Sequence, residues 1–417
     1  MKNYRNLTRV LVLILVVALL AACAQPAAPA PAAPAAPAAP GDAAPAPGDG
    51  ADETTAAEWQ EVHIGVLAPL TGPVAQFGVA VYQGLTLYID EFNARGGLQI
   101  RFTSFDEEGN PANALTGYHS LVDQGVTAII GSVTSGPTLA VVPIAYEDGM
   151  PMITATATHA NVTVNAETGQ VWSNMFRSCF IDPFQGVKMA DFAAEVLGAS
   201  TAAVLFSNEI DYSIGLMEAF VARAEEIGLE IVAVETFADA AVSYRSQLLN
   251  IAAQNPDVLF FPAYYRHVAL MAPDAVDVGL GAYLLGADGW NGSLEVVANP
   301  ADIEGAFYIS GFTEESEDPM VQGFIANYTA RWGMAPDMFA AQAYDAAMIL
   351  IAAIEGALAE GLAPGTSEFK AATIRHMAAT DLTGVTGHIT FDQYNNPQKT
   401  AFIIQVRDGQ DRFWGHF

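Results

Sequence analysis

Cysteine is almost absent from this chain of 417 residues. Cys23 and Cys179 are the only two, so a fold stapled by internal disulfides is excluded. Basic side chains are scarce, 16 Lys and Arg against 46 Asp and Glu, for a net charge of −30. That balance excludes a nucleic-acid partner, whose phosphates demand clustered cations. Catalytic signatures are missing as well. There is no Gly-x-x-x-x-Gly-Lys loop, no His-Glu-x-x-His and no Gly-x-Ser-x-Gly elbow, and the run starting Gly279-Leu280-Gly281 has Leu284 where a dinucleotide fold needs its third glycine. His63, His119, His159, His267, His376, His388 and His416 are scattered without metal-ligand spacing. No nucleophile pairs with a base. The expectation is a protein that is not an enzyme and uses no metal or cofactor.

What is present is a large apolar fraction, 52%, with charged residues at only 15%, enough to bury an extensive core and unlike a disordered acidic chain. At about 150 residues per domain the length predicts two domains. Residues 1–22 read as a secretory leader: Lys2, Arg5 and Arg9 precede an apolar run, residues 10–20, too short to span a bilayer. The run ends Leu20-Ala21-Ala22-Cys23, which resembles a bacterial lipobox. The resemblance implies cleavage before Cys23 and acylation of its thiol, an anchor made of lipid rather than charge. Residues 23–58 then form an Ala/Pro tract, an extended tether of about 3.1 Å per residue, roughly 100 Å in all. Cys179, in Phe176-Arg177-Ser178-Cys179-Phe180, reads as a small buried hydrophobe rather than a reactive thiol.

From Val62 onward short apolar strands alternate with amphipathic helices, the pattern of an α/β fold with parallel sheets. Strands are predicted at 62–68, 100–105, 128–130 and 151–154, then at 202–206, 231–235, 258–261 and 283–285. Helices are expected between them, at 184–197 among others, with Asn110-Pro111 and Asp182-Pro183 as caps with first-turn prolines. Helices 319–332 and 338–360 and a β-rich tail at 387–391 and 401–406 follow. Two α/β units in tandem imply two lobes, and a cleft between lobes is a common seat for a small molecule.

In open α/β sheets ligands sit past the strand C-termini, facing helix N-termini. Two loops there are rich in hydroxyls, 131–138 with Ser135 and 155–159 with Thr156 and Thr158. They read equally as helix caps or as a grip on one carboxylate. In the second unit the corresponding loops carry Asn208, Asp211, Tyr212, Tyr264, Tyr265 and Asp288. Asp288, a turn former in Gly-Ala-Asp-Gly, would complete a site for a zwitterion if it faced the hydroxyls: donors for the carboxylate, an acid for the ammonium and rings for an apolar body.

Several segments in this order resemble the type I periplasmic binding proteins of the branched-chain amino acid class, substrate receptors of ABC importers. They are Val62–Leu67, Leu70-Thr-Gly-Pro-Val-Ala-Gln-Phe-Gly78, Asp90-Glu-Phe-Asn-Ala-Arg-Gly-Gly97, Ile130-Gly131 with Ser135, Ile153-Thr154, and Gly387-x-Ile-x-Phe-Asp392. The resemblance covers nearly all of residues 60–410. It implies two doubly wound parallel-sheet lobes joined by a three-strand hinge, with 60–178 plus 309–383 in one and 179–308 plus 384–417 in the other. It further implies that Ser135 and Thr158 hold a ligand carboxylate, that the Thr156 carbonyl and Asp288 hold its ammonium, and that Phe77, Tyr212 and Tyr264 pack over it. The implied partners are an amino acid, an ABC permease and, through the anchor alone, a membrane; the protein would be an exported monomer. Two departures stand out. Asp288 replaces the longer Glu of the best-known leucine binders, and Asn110 and Thr134 stand where some members carry a disulfide. The family also takes amides, urea and aromatic acids. A sensory module using the same pocket, and a hydrolase of an amide or amino-acid derivative, are the competing readings.

Overall fold

The first strand shows how the sequence builds the molecule. β1 (Glu61–Ala68) is apolar almost throughout and buried from Ile64 to Ala68, as a central strand covered on both faces must be. It pairs in parallel with β2 (Gln99–Asp106) and β3 (Ile129–Ile130). β4 (Met152–Thr154) and β5 (Met175–Arg177) extend one side, giving a five-stranded parallel sheet in the order β2-β1-β3-β4-β5. The computed structural model describes residues 61–417; the leader, Cys23 and the Ala/Pro tract lie outside them.

Three helices return the chain across this sheet: α1 (Ala75–Asn93), α2 (Pro111–Asp123) and α3 (Ser135–Glu147). Asn110 caps α2 as expected, accepting from the amides of Ala112 and Asn113 at 2.9 and 3.2 Å. The second sheet takes β6 (Thr201–Ser207), β7 (Glu230–Phe237), β8 (Val258–Phe260), β9 (Tyr283–Gly286) and β10 (Phe307–Ser310) in parallel, and an antiparallel pair, β13 (Phe402–Arg407) and β14 (Gln410–His416), closes its edge. Its helices are α4 (Asp182–Asp191), α5 (Asp211–Ile227), α6 (Arg245–Ala252) and α7 (Tyr265–Asp277). After β10 the chain returns to the first layer with α8 (Pro319–Trp332), α9 (Met338–Ala359) and α10 (Ser367–Ala378), makes a small hairpin of β11 (Asp381–Gly384) and β12 (Gly387–Thr390), and crosses back to β13. With the passage from β5 to α4, these make three crossings between the two parallel-sheet lobes of an α/β fold.

α9 lies along α1 so closely that a Cβ on Gly84 would fall 2.0 Å from the Ala340 carbonyl oxygen. Glycine at that position is what lets the two helices touch. Several expectations shift. The helix expected over 184–197 begins at Asp182 and is α-helical only to Asp191, continuing as a π-turn over Phe192–Val196. Asp182 itself lies inside the first turn and caps nothing. α10, whose buried side chains are only Phe369, Ala372, Thr373 and Met377, has too sparse an apolar stripe to stand out.

Candidate functional site

The C-terminal ends of both parallel sheets face the same cleft, the position open α/β sheets use for ligands. On the first sheet the loop after β4 folds back under its own hydroxyls. Thr154 Oγ1 donates to the Ser132 carbonyl at 2.6 Å and accepts from the Ala157 amide at 3.0 Å, while Thr156 Oγ1 donates to the Val133 carbonyl at 2.6 Å. The loops after β3 and β4 are thereby locked together. Ser135 opens α3 but makes no capping bond; among the described residues its Oγ accepts only from the His159 amide, at 3.3 Å, so its proton stays available to the cleft. Of the two readings of this hydroxyl, the cap is not the one the structure adopts.

On the second sheet Tyr212, in the first turn of α5, donates its hydroxyl to Asp288 Oδ1 at 2.7 Å and accepts from the Gly289 amide at 2.8 Å. Gln185 Oε1 accepts from the Asp288 amide at 3.0 Å. Asp288 does not sit in a free turn; it starts a short 3-10 turn, Asp288–Trp290. Tyr264 stacks on Tyr212 with centroids 4.8 Å apart, and Phe77 meets Tyr264 edge-on at 5.6 Å. Phe77, Ser135, Thr156, Thr158, Tyr212, Tyr264 and Asp288 thus line one cavity, together with Val133, Thr134, Gly289 and Phe339. The space between these walls is about 230 Å³. Across its mouth the Tyr265 hydroxyl donates to the Pro73 carbonyl at 3.2 Å and accepts from the Gln76 amide at 3.3 Å.

Burial pushes the Asp288 carboxyl up to about 6, against the pull of its bonds from Tyr212 and Gly289. Asp182 is a second acid beside the cleft, fully buried, and among the described residues neither carboxylate oxygen has a partner in hydrogen-bond geometry. Burial first, and then the charge of Asp288, hold it well above the usual carboxylate range. Behind the other wall Ser132 donates to Glu107 at 2.5 Å, and burial raises that carboxyl to about 7. Asp182, read from sequence as a cap, and Phe339, which falls in the helix expected over 338–360 and was not singled out, are the neighbouring and lining residues that sequence reasoning missed; the hydrophobic pattern alone cannot tell a core Phe from one at a cavity. Cys179 is buried, and burial pushes its thiol up to about 12. Among the described residues no three His, Cys, Asp or Glu side chains converge on a metal position.

A sequence profile of the family described as periplasmic binding protein matches residues 61–411. A Leu/Ile/Val-binding protein homologue of Brucella melitensis is 26% identical over 306 residues, 72% of this chain and 80% of its own. Two solved structures share the fold at 30% identity. One is a leucine-binding protein, LivK, of Thermotoga maritima, with a TM-score of 0.77 over 85% of this chain and 98% of that one. The other is the branched-chain amino acid transporter substrate-binding protein LivJ of Streptococcus pneumoniae in complex with isoleucine, with a TM-score of 0.76 over 84% and 98%.

Proposed function

The chain belongs to the periplasmic binding protein family, and we propose that it is an exported, lipid-anchored receptor that takes an amino acid, branched-chain or aliphatic first, into the cleft between its lobes and delivers it to an ABC permease. The observation that carries this reading is the polarity of the cleft. One wall offers donors, Ser135 and Thr158; the other offers a single acid, Asp288; aromatic rings lie between them. Ser135 and Thr158 take the carboxylate, while the Thr156 carbonyl and Asp288 take the ammonium. Phe77, Tyr212 and Tyr264 close over the aliphatic body. The lobes divide as 60–178 with 309–383 and 179–308 with 384–417, and Cys23 carries the anchor. Relatives that bear the names of leucine, isoleucine and valine binders support the choice of solute.

A thermal-shift panel tests it, with leucine, isoleucine, valine, polar amino acids, simple amides, urea and benzoate at millimolar concentration. A solute at 100 times its Kd adds about 2.7 kcal/mol to stability. Shifts confined to aliphatic amino acids are expected. Stabilisation only by solutes lacking an amine would overturn the role of Asp288 and move the receptor to another solute class.

A further inference from the structure

Arg177 ends β5, next to Thr154 in the parallel ladder, and is fully buried. Burying a guanidinium costs several kcal/mol unless it is paired, yet no ion pair involves Arg177 among the described residues, and its Nε has no partner at all. Its four hydrogen bonds all go to the loop after β4. Nη1 donates to the carbonyls of Ala157 and His159 at 2.9 and 3.0 Å, and Nη2 to the Ala160 carbonyl at 3.4 Å and Thr163 Oγ1 at 3.2 Å. This is the loop that carries Thr156 and Thr158 into the cleft.

The peptide unit is planar and trans, so its C=O and N–H point in opposite directions. Fixing the Ala157 carbonyl on Arg177 therefore turns the amide of Thr158 away from Arg177. Among the described residues that amide donates no hydrogen bond, and Thr158 lines the cavity. The carbonyl of Thr158 is held in turn by the Asp182 amide at 2.9 Å, and the next amide, His159, is spent on Ser135 Oγ. What is left over is the Thr158 N–H, the Ser135 hydroxyl and the first turn of the 13-residue helix α3, which has no side-chain cap; Arg177 holds the carbonyl on the opposite side of the Thr158 peptide. Donors converging in this way favour an anion.

We infer that Arg177 is the positioning residue of a carboxylate pocket formed by Ser135 and Thr158, and that this pocket makes the receptor select solutes bearing a carboxylate over their amides. The inference deepens the function proposed above and rests on it for the choice of solute. Arg177 touches no solute. It acts through the 157–158 peptide, orienting its N–H and polarising it, so the cation behind the pocket is answered by the anion the solute brings.

The test compares leucine with leucinamide on the wild-type protein, Arg177→Lys and Arg177→Gln by titration calorimetry, with the Thr158 amide followed by NMR in the wild type. Arg177→Gln should weaken leucine about tenfold or more while changing leucinamide by less than about threefold, and Arg177→Lys should recover part of the loss. In the wild type the Thr158 amide proton should move downfield with leucine and stay in place with leucinamide. Equal losses for the two solutes, or a Thr158 resonance indifferent to the carboxylate, would overturn the inference. If Arg177→Gln does not fold, the lysine variant and the wild-type resonance decide the question. If no amino acid binds the wild type, the proposed solute fails and the same contrast is made with benzoate and benzamide. An Arg177-dependent preference for benzoate keeps the inference, whereas a wild type that binds neither carboxylate overturns it as well.

Discussion

Replacing Asp288 with Asn removes a charge from the cleft and keeps its shape, since Tyr212 can donate to the amide oxygen as it does to the carboxylate. Two effects of opposite sign follow. Burial holds this carboxyl at about 6 instead of 3.8, so in the ligand-free protein at pH 7.5 its ionisation works against the fold by about 3 kcal/mol. The sign is that of a raised acid: the folded state holds the proton more tightly, so the protein loses stability as pH rises from about 4 to 6 and carries the whole penalty above that. Asp288→Asn should therefore melt a few degrees higher than wild type at pH 7.5 and gain little at pH 4. Binding should go the other way. Removing one partner of a buried, charged hydrogen bond costs about 2–5 kcal/mol, so leucine affinity should fall at least about thirtyfold. Scanning calorimetry with and without leucine at the two pH values reads both quantities. A variant that melts lower than wild type without ligand at pH 7.5, or that binds leucine as well as wild type, would refute the assignment of Asp288 as a strained acid waiting for a cation.

On the proposed reading the same carboxyl sets the pH dependence of leucine binding. Leucine affinity should rise about tenfold between pH 5 and 7, as Asp288 ionises ahead of the bound ammonium, and level off above; calorimetric titrations across that range check it, and a flat profile excludes Asp288 as the ammonium partner. Gly84→Ala should destabilise the protein by about 3 kcal/mol, since its Cβ would meet the Ala340 carbonyl at 2.0 Å and must push α1 from α9. Urea unfolding measures this, and a change under about 0.5 kcal/mol would mean the helices are not in backbone contact. Cys179, buried and with its thiol pushed up to about 12, should stay inert to a thiol reagent at pH 8 and react in full once the chain is unfolded. Fast labelling of the native protein would contradict its place in the core.

The fold was legible because its strands are buried runs and its helices carry stripes, and because punctuation such as Asn110-Pro111 has a single mechanical meaning. Part of the cavity lining was legible for a related reason: in a parallel sheet the loops past the strand ends are bound to converge, which singled out the loops of Ser135, Thr158, Tyr212 and Asp288 together with Asn208, Asp211 and Tyr265, and the family resemblance chose among them. Arg177 and Asp182 were not legible in these roles. Both lie at the passage between the sheets, where neither period applies. Asp182-Pro183 has the form of a cap, yet the helix begins one residue early and draws the carboxylate inside. Only three-dimensional contact distinguishes a buried guanidinium that holds three carbonyls from a surface arginine that holds none.

The division of polarity between the two walls also explains why selection should occur at closure rather than at first contact. Across the mouth, Tyr265 and Gln76 contribute hydrogen bonds of 3.2, 3.3 and 3.4 Å, long for their type and worth about 1 kcal/mol each at most. A solute with a carboxylate and an ammonium adds charge-assisted bonds to both walls, each worth about 1.5–3 kcal/mol, and these exist together only when the walls meet. A solute with a carboxylate alone satisfies the Ser135 and Thr158 side equally well. Closing over it, however, leaves Asp288 buried without a cation, at the cost that its raised pKa already records. On the proposed reading an open cleft should bind the two solutes alike and a closed one should not, so the contacts that differ between the two states would decide which solute is kept.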